Sequence, residues 1–257
     1  MGPVRAELMW QSVVDAIDIA GSGNGGLDVL DLGGGTGGDA VRLALLGHHV
    51  TVVDPSPDAL ASLHRRAADA DLGEAVRGIQ GDTADLLDHV DPQSFDLVIC
   101  HGVLEHVDDP AEALAAVATV LRPGGHVSVV VAGRLAAITA RALAGDFATA
   151  QALLTTTADA WDVRALGPRR FGLDELQNLL ATRGFVSVAT NGLRIFADLV
   201  PSAIVDGEPG AREALFALER LARTSHDFTS VSTGLQSIAR LDLESASSDP
   251  GGKSAAL

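Results

Sequence analysis

The stretch Leu27-Asp28-Val29-Leu30-Asp31-Leu32 leads directly into Gly33-Gly34-Gly35-Thr36-Gly37-Gly38, and this junction decides the fold. An apolar run of strand length ends in a glycine-rich turn, and helix-like Asp39–Leu46 follows it. Glycine tolerates a positive φ and lets a ligand approach the backbone closely. The junction therefore predicts a strand, a tight loop and a helix, with a ligand beyond the carboxyl end of the strand.

The same alternation of apolar runs and helix-like segments continues to about residue 131. Short apolar runs with strand character lie at His49–Val53, Val76–Gln80, Phe95–Cys100 and Val127–Val131. Helix-like segments lie between them at Pro57–Ala70 and Pro110–Leu121. This order predicts an α/β fold with a doubly wound, mostly parallel sheet.

The remaining segments follow a different pattern. Residues 134–170 are expected to form a helical insertion that covers the site, and residues 1–26 an N-terminal helical arm with an amphipathic helix over 5–20. Further helices are expected at Leu173–Arg183 and Ala211–Arg223, and further strands at Phe185–Ala189, Leu193–Leu199 and Leu235–Leu241. Residues 1–244 are interpreted as one domain and residues 245–257 as a disordered tail.

Composition narrows the class of protein. The chain is 47% hydrophobic, has one cysteine (Cys100) and contains no uncharged apolar stretch long enough for a bilayer. A cytoplasmic protein with no membrane partner is expected, of unknown oligomeric state. The formal net charge of −16 argues against binding nucleic acid by charge alone. Residues 131–200 carry seven basic and six acidic side chains, so this segment is where an anionic partner would be expected to bind, if the protein has one.

The glycine loop by itself allows two interpretations. Gly33, Gly35 and Gly38 also satisfy the dinucleotide fingerprint of an NAD-dependent oxidoreductase, and Asp54 could hold a ribose in either case. Asp31 favours a different ligand, because a carboxylate at the strand tip suits an ammonium group and opposes a diphosphate. Farther along, Asp82 in Gly81-Asp82-Thr83 could accept a hydrogen bond from an adenine amino group, or could cap a helix.

These motifs, with Val103-Leu104-Glu105-His106-Val107 and Leu121-Arg122-Pro123-Gly124-Gly125, resemble class I methyltransferases that use S-adenosylmethionine (SAM). The resemblance covers about residues 27–131. It implies a seven-stranded sheet with a final antiparallel hairpin, and SAM as cofactor with S-adenosylhomocysteine as product. It also implies a set of SAM-binding residues: Asp31, Gly33, Gly34, Gly35, Thr36, Gly37, Asp54, Pro55, Asp82, Thr83, His101 and Gly102.

A narrower resemblance links the chain to the bacterial tRNA carboxymethoxyuridine methyltransferases. It rests on Gly2-Pro3-Val4-Arg5, His101–Pro110 and Asn191–Asp198, among other stretches. It implies that Arg5 pairs with the carboxylate of SAM and that a modified wobble uridine of tRNA is the acceptor. The acceptor is expected to meet arginines: Arg169, Arg170 and Arg194. The chain departs from that family in having no tyrosine and a single lysine, Lys253.

The chemistry of the acceptor decides whether a base is needed. A carboxylate is already ionised at neutral pH, whereas a hydroxyl or amine would need a base. His101, Glu105 and His106 are the candidates, and His101 is best placed, just past the strand. Glu105 and His106 lie nearby, but their spacing with His101 is poor for a metal site, so no metal is expected. Two alternatives stay open: methylation of a small metabolite, and SAM binding without catalysis.

Overall fold

The computed structural model describes residues 3–21, 25–157 and 159–242, and in them one seven-stranded sheet is flanked by helices. The strands are β1 (Asp28–Leu32), β2 (His49–Asp54), β3 (Val76–Gln80), β4 (Phe95–His101), β5 (Leu121–Ala132), β6 (Phe185–Leu193) and β7 (Gly234–Leu241). Their order is β3-β2-β1-β4-β5-β7-β6. Only β7 runs antiparallel, against β5 on one side and β6 on the other.

Twelve helices are present in the described part of the chain. Those up to β5 are α1 (Pro3–Ala20), α2 (Gly38–Leu45), α3 (Pro57–Asp69), α4 (Leu86–His89) and α5 (Pro110–Val120). The later ones are α6 (Arg134–Leu143), α7 (Phe147–Thr155), α8 (Val163–Leu166), α9 (Leu173–Ala181), α10 (Ser202–Gly207), α11 (Ala211–Ala222) and α12 (His226–Val231). None of the described helices is long and apolar enough to cross a membrane.

Local signals in the sequence start the helices that follow the strands. The Ser56 hydroxyl accepts a hydrogen bond from the Ala59 amide at 3.2 Å, and Pro57 begins α3. Asp109 accepts from the Ala111 and Glu112 amides, so it caps α5 in the same way. Such caps satisfy amide groups that have no partner inside the helix.

Two hydrophobic clusters cover the two faces of the sheet. One places Val13 and Ala16 of α1 with α2, α3 and side chains such as Ile99 of β4. The other places Leu114 of α5 and Leu176 of α9 on the opposite face. The fold prediction is confirmed: the sheet is doubly wound, mostly parallel and seven-stranded, and the helices α6, α7 and α8 follow β5 as an insertion in the described residues.

Some boundaries were wrong. The strand predicted at Leu193–Leu199 does not form, because β6 already ends at Leu193 and Arg194 has a left-handed backbone with φ 56°. The strand predicted at Phe185–Ala189 is instead four residues longer at its carboxyl end. The proposed disordered tail, 245–257, lies outside the described residues.

Candidate functional site

The glycine loop lies at the carboxyl end of β1. The Gly33 amide donates to the Val53 carbonyl at 2.8 Å, which ties the loop to β2. Gly37 has φ 70°, and a Cβ at this position would lie 1.9 Å from Cδ1 of Leu63. Both its conformation and its space require glycine there, so the loop stays close to the sheet.

Asp31 is a buried carboxylate at the tip of β1, with 6% of the residue exposed. A Cβ on Gly34 would lie 2.3 Å from Oδ2 of Asp31, so the loop backbone packs directly on this carboxyl group. Burial raises the pKa of Asp31 to about 7, and the neighbouring carboxylates of Asp39 and Asp54 add to the shift. A cation beside Asp31 would relieve this cost, because an opposite charge favours the ionised form.

Asp54, at the end of β2, holds two backbone segments. Its Oδ2 accepts from the Gly35 amide and its Oδ1 from the Ser56 amide, each at 2.9 Å. The carboxylate therefore joins the glycine loop to the start of α3. Each carboxylate oxygen retains a further acceptor position, so Asp54 can also bind a hydroxyl group of a ligand.

Asp82 and Thr83 follow β3 in a tight turn. Oδ1 of Asp82 accepts from the Ala84 amide at 2.7 Å, and Oδ1 of Asp85 accepts from the Asp82 amide at the same distance. The N-cap residue of α4 is Asp85, not Asp82. Asp82 therefore stabilises the turn with one oxygen and lies with Thr83 along a cleft.

That cleft has a volume of about 840 Å³ and opens at the carboxyl edge of the sheet. Gly33, Asp54, Pro55 and Gly102 line it together with Asp82 and Thr83. Seven carboxylates are in its lining: Asp54, Asp82, Asp85, Asp88, Asp108, Asp109 and Glu112. A cleft of this charge favours a cationic ligand and opposes a diphosphate.

His101, the last residue of β4, is half-buried and contacts the sheet interior. Its Nε2 lies 2.8 Å from the hydroxyl of Ser128 on β5. Burial lowers the pKa of His101 to about 3, so the ring is neutral at physiological pH. His101 does not line the cleft itself, although the adjacent Gly102 does.

Glu105 fastens the loop after β4 to the end of β5. Its Oε1 accepts from the Ala132 amide at 2.8 Å, and its backbone carbonyl accepts from the Arg169 amide at 3.1 Å. Burial raises the pKa of Glu105, and the positive charge of Arg170 opposes that shift. Arg169 and Arg170 thus lie beside the loop that follows β4, where the cleft begins.

Arg5 and Arg194 meet on one carboxylate. Nε of Arg5 lies 2.6 Å from Oδ1 of Asp198, and Nη1 of Arg194 lies 3.6 Å from Oδ2 of the same side chain. Arg5 was predicted to bind the cofactor and Arg194 the acceptor, whereas their shared partner, Asp198, was not predicted from the sequence. Asp198 is four residues after Arg194, a spacing that could have indicated the pair.

Glu219 of α11 was also missed. It is 2% exposed, and its carboxylate accepts from the amides of Ile195, Phe196 and Ala197 at 2.8 to 3.0 Å. Three donors on one carboxylate explain why this segment turns instead of continuing β6. A glutamate within the amphipathic pattern of a helix gives little warning of such a role.

The predicted cofactor residues are therefore gathered at one edge but not on one surface. Six of them line the cleft, whereas the others do not: Arg5, Asp31, Gly34, Gly35, Thr36, Gly37 and His101. Most of the latter are in the loop that backs the cleft. Their roles with a ligand stay predictions. In the described residues no group of three His, Cys, Asp or Glu side chains is placed to hold a metal.

Residues 30–129 match a family model described as a methyltransferase domain. The chain resembles class I methyltransferases. The matched stretch begins in β1 and ends in β5, so it contains the glycine loop, Asp54, Asp82 and the loop after β4.

Two curated relatives and one solved structure define the resemblance further. A tRNA 5-carboxymethoxyuridine methyltransferase from Escherichia coli is 32% identical over 151 residues, which is 59% of this chain and 57% of that protein. A ubiquinone biosynthesis O-methyltransferase from Xanthomonas euvesicatoria is 33% identical over 147 residues, 56% of each chain. This chain thus spans little more than half the length of these relatives.

The crystal structure of a SAM-dependent methyltransferase from Mesorhizobium loti covers 91% of this chain and 99% of its own. Its TM-score is 0.59 and its sequence identity 23%, so it shows the fold alone. The resemblance to class I methyltransferases, and within them to the tRNA carboxymethoxyuridine enzyme, is confirmed.

Proposed function

We propose that this chain is a SAM-dependent methyltransferase and that the ammonium group of SAM binds at Asp31. The observation that carries the proposal is the buried Asp31 carboxylate, whose pKa burial raises to about 7. An ammonium group beside it would supply the missing opposite charge. The seven carboxylates of the cleft support the proposal, because SAM carries a positive sulfonium while a dinucleotide carries a negative diphosphate.

The residues at the edge of the sheet fit the rest of SAM. Gly33, Gly34, Gly35, Thr36 and Gly37 would hold its methionine end with their backbone. Asp54 with Pro55 would bind the ribose, and Asp82 with Thr83 the adenine, since both pairs line the cleft. Gly102, after β4, would lie by the sulfonium. Arg5 retains donors beyond the Nε on Asp198 and would reach the carboxylate of SAM.

The chain itself has little chemistry to supply. Held by these residues, SAM would supply a methyl group already activated by its positive sulfonium, for transfer to a carboxylate oxygen with S-adenosylhomocysteine as the product. The residues of the cleft then act by holding donor and acceptor in line, which is where such a site gains most of its rate. A carboxylate acceptor gives up no proton, so no base is required.

For the acceptor, we propose an oxygen or carboxylate on a modified wobble uridine of tRNA. The E. coli relative is named for 5-carboxymethoxyuridine of tRNA, a modified uridine that carries a carboxyl group. Arg194 is placed at the carboxyl edge by the end of β6, and Arg5, Arg194 and Asp198 together leave one net positive charge. Arg169 and Arg170, beside the loop after β4, would add phosphate contacts.

We call residues 25–132 the cofactor half, and residues 133–157 with 159–242 the acceptor half. The helical insertion α6–α8 belongs to the acceptor half, and we propose that it covers the acceptor site. Two contacts of Arg134, the first residue of the insertion, support this. Arg134 donates to the Arg170 carbonyl at 3.0 Å and pairs with Glu175 at 2.7 Å. The insertion is thereby anchored beside the proposed acceptor contacts.

A second candidate is the methylation of a small metabolite. Two observations favour it: the net charge of −16 with a single lysine, and the ubiquinone biosynthesis O-methyltransferase among the relatives. A chain with this net charge gains no binding energy from contacts between its acidic surface and the phosphates of RNA. The two candidates share the SAM site and differ only in the acceptor half.

A binding measurement tests the SAM site. Isothermal titration of the chain with SAM should show saturable binding, and NADH should show none. Binding of NADH in place of SAM would overturn the proposal. Binding of SAM without turnover on any acceptor would instead identify a SAM-binding protein without catalysis.

Labelled SAM then identifies the acceptor. The chain is incubated with methyl-labelled SAM and separate RNA and small-metabolite fractions from bacterial cells. Label in RNA that mild alkali releases as methanol would show a methyl ester on a carboxylate, as we propose. Alkali-stable label in the metabolite fraction would instead support O-methylation of a small molecule.

A further inference from the structure

A row of polar side chains crosses four neighbouring strands beneath α1. It consists of His101 on β4, Ser128 on β5, Gln236 on β7 and Asn191 on β6, in the order in which the strands lie in the sheet. Ser128 and Gln236 are fully buried and Asn191 nearly so. Polar groups in such a place persist when each donor has an acceptor.

The direction of the hydrogen bonds in this row is fixed at Gln236. Its Nε2 lies 2.7 Å from the Ser12 carbonyl of α1, which can only accept, and its Oε1 accepts from Asn191 at 3.0 Å. The second Nε2 proton is therefore directed at the Ser128 hydroxyl oxygen, 3.1 Å away. Ser128 is thus an acceptor toward Gln236.

The hydroxyl proton of Ser128 then has one acceptor within reach among the described residues. Among the described residues, the other partner of its hydroxyl is Nε2 of His101 at 2.8 Å. A buried hydroxyl that leaves its proton unpaired is destabilising, because it has lost its hydrogen bond to water and gained none in return. Ser128 therefore donates to Nε2, which must be unprotonated, and a neutral ring then carries its proton on Nδ1.

We propose that Ser128 and Gln236 are positioning residues that hold His101 neutral with its proton on Nδ1, so that it can donate a hydrogen bond but not take a proton. The lone pair of Nε2 is occupied by the serine hydroxyl. The row ends at two amides, which do not relay protons. Burial, which lowers the pKa of His101, favours the same neutral ring.

This inference rests on the proposed function for its consequence, which concerns the class of acceptor. If His101 supplies no base, an alcohol acceptor would have to give its proton to another group of the cleft, such as His106. A carboxylate, or another oxygen that is anionic at neutral pH, needs no base. The inference therefore favours an acceptor that is already ionised.

The tautomer can be measured directly. In the full-length chain with ¹⁵N-labelled histidine, two-bond ¹H–¹⁵N correlations distinguish a protonated from an unprotonated ring nitrogen. We expect His101, identified by the loss of its signals in His101→Gln, to show protonated Nδ1 and unprotonated Nε2 at pH 7. A proton on Nε2, alone or together with Nδ1, would overturn the proposal.

Two matched variants test the role of the row. Ser128→Ala removes the donor to Nε2, and the Nε2–H form, absent before, should appear. Ser237→Ala is the control, because Ser237 is equally buried in the sheet and its hydroxyl has no partner among the described residues. If Ser128→Ala folds and leaves the tautomer as in Ser237→Ala, Ser128 does not position the ring.

These spectra need neither SAM nor an acceptor. If the chain binds SAM and His101 carries its proton on Nε2, this inference is wrong and the proposed function stands. If His101 carries its proton on Nδ1 and the chain does not bind SAM, the proposed function is wrong and the hydrogen-bond direction inferred here stands.

Discussion

The first helix of the cofactor half, α2, and the first helix of the acceptor half, α6, are buried very differently. In the cofactor half, α2 buries Ala40, Leu43 and Ala44 against the sheet. In the acceptor half, α6 has no buried residue, and Leu143 and Phe147 are 77% and 70% exposed. The methyltransferase model matches only the first region. The contrast indicates that the helix after the glycine loop is fixed by packing on the sheet, whereas the start of the insertion is held by the polar contacts of Arg134.

Asp31→Asn should produce the largest effect, and it should act through the cofactor half. The variant removes the charge that we propose pairs with the ammonium group, and such a loss costs about 2–5 kcal/mol, or at least ~30-fold in Kd. Titration with SAM measures this, with the exposed Asp58→Asn on α3 as the control. Equal affinities in both variants would remove Asp31 from the site.

The same variant tests the cost of burying this charge. Between about pH 4 and 7 the folded chain keeps a proton on Asp31 that the unfolded chain releases, so folding stability should fall as pH rises, by up to about 1.4 kcal/mol per pH unit. In Asp31→Asn this decrease of stability with pH should be absent. In the unmodified protein, saturating SAM should make the decrease smaller. Urea unfolding at pH 5, 6, 7 and 8 gives the slopes; identical slopes in both proteins would contradict the burial argument.

Glu219→Ala should show what anchors the acceptor half. The change leaves three amides at Ile195, Phe196 and Ala197 without their acceptor, and we expect a loss of about 3 kcal/mol in unfolding free energy. Glu213→Ala, an exposed glutamate on the same helix, is the control. SAM affinity should stay unchanged. A loss no larger than that of the control would mean that the turn does not depend on Glu219.

Arg194→Ala should separate the two halves in function. We expect SAM affinity to stay within about twofold and methyl transfer to an anionic acceptor to fall about tenfold, the loss of one charged hydrogen bond. Initial rates with labelled SAM measure the transfer. Arg212→Ala is the control, since Arg212 is exposed and also pairs with an aspartate, Asp206, at 3.0 Å. An unchanged rate for Arg194→Ala would rule out its contact with the acceptor.

The cofactor half could be predicted closely because its signals are local. Strand length, the glycine loop and the caps at Ser56 and Asp109 all act within a few residues of sequence. Asp31 and Asp54 lie at the carboxyl ends of their strands and Asp82 lies just after one, so parallel topology alone brings these carboxylates to one edge.

The acceptor half could be predicted less well because its contacts join distant residues. Glu219 turns the chain 22 to 24 residues earlier, and Gln236 is 108 residues from Ser128. Arg5 meets Asp198 only after α1 crosses the sheet. No periodicity or spacing in the sequence indicates such pairs. Because the contact of Glu219 with residues 195–197 was not foreseen, the end of β6 was predicted wrongly.

Leu143→Ser should produce the smallest effect and thereby test the exposed face of the insertion. Because Leu143 is 77% exposed at the end of α6, the change should alter unfolding free energy by at most about 0.5 kcal/mol. Leu43→Ala in α2, where the side chain is fully buried, should cost about 2–5 kcal/mol. Urea unfolding of both variants measures the two losses of unfolding free energy. A loss above about 1 kcal/mol for Leu143→Ser would show that α6 packs in solution, and the contrast between α2 and α6 would then fail.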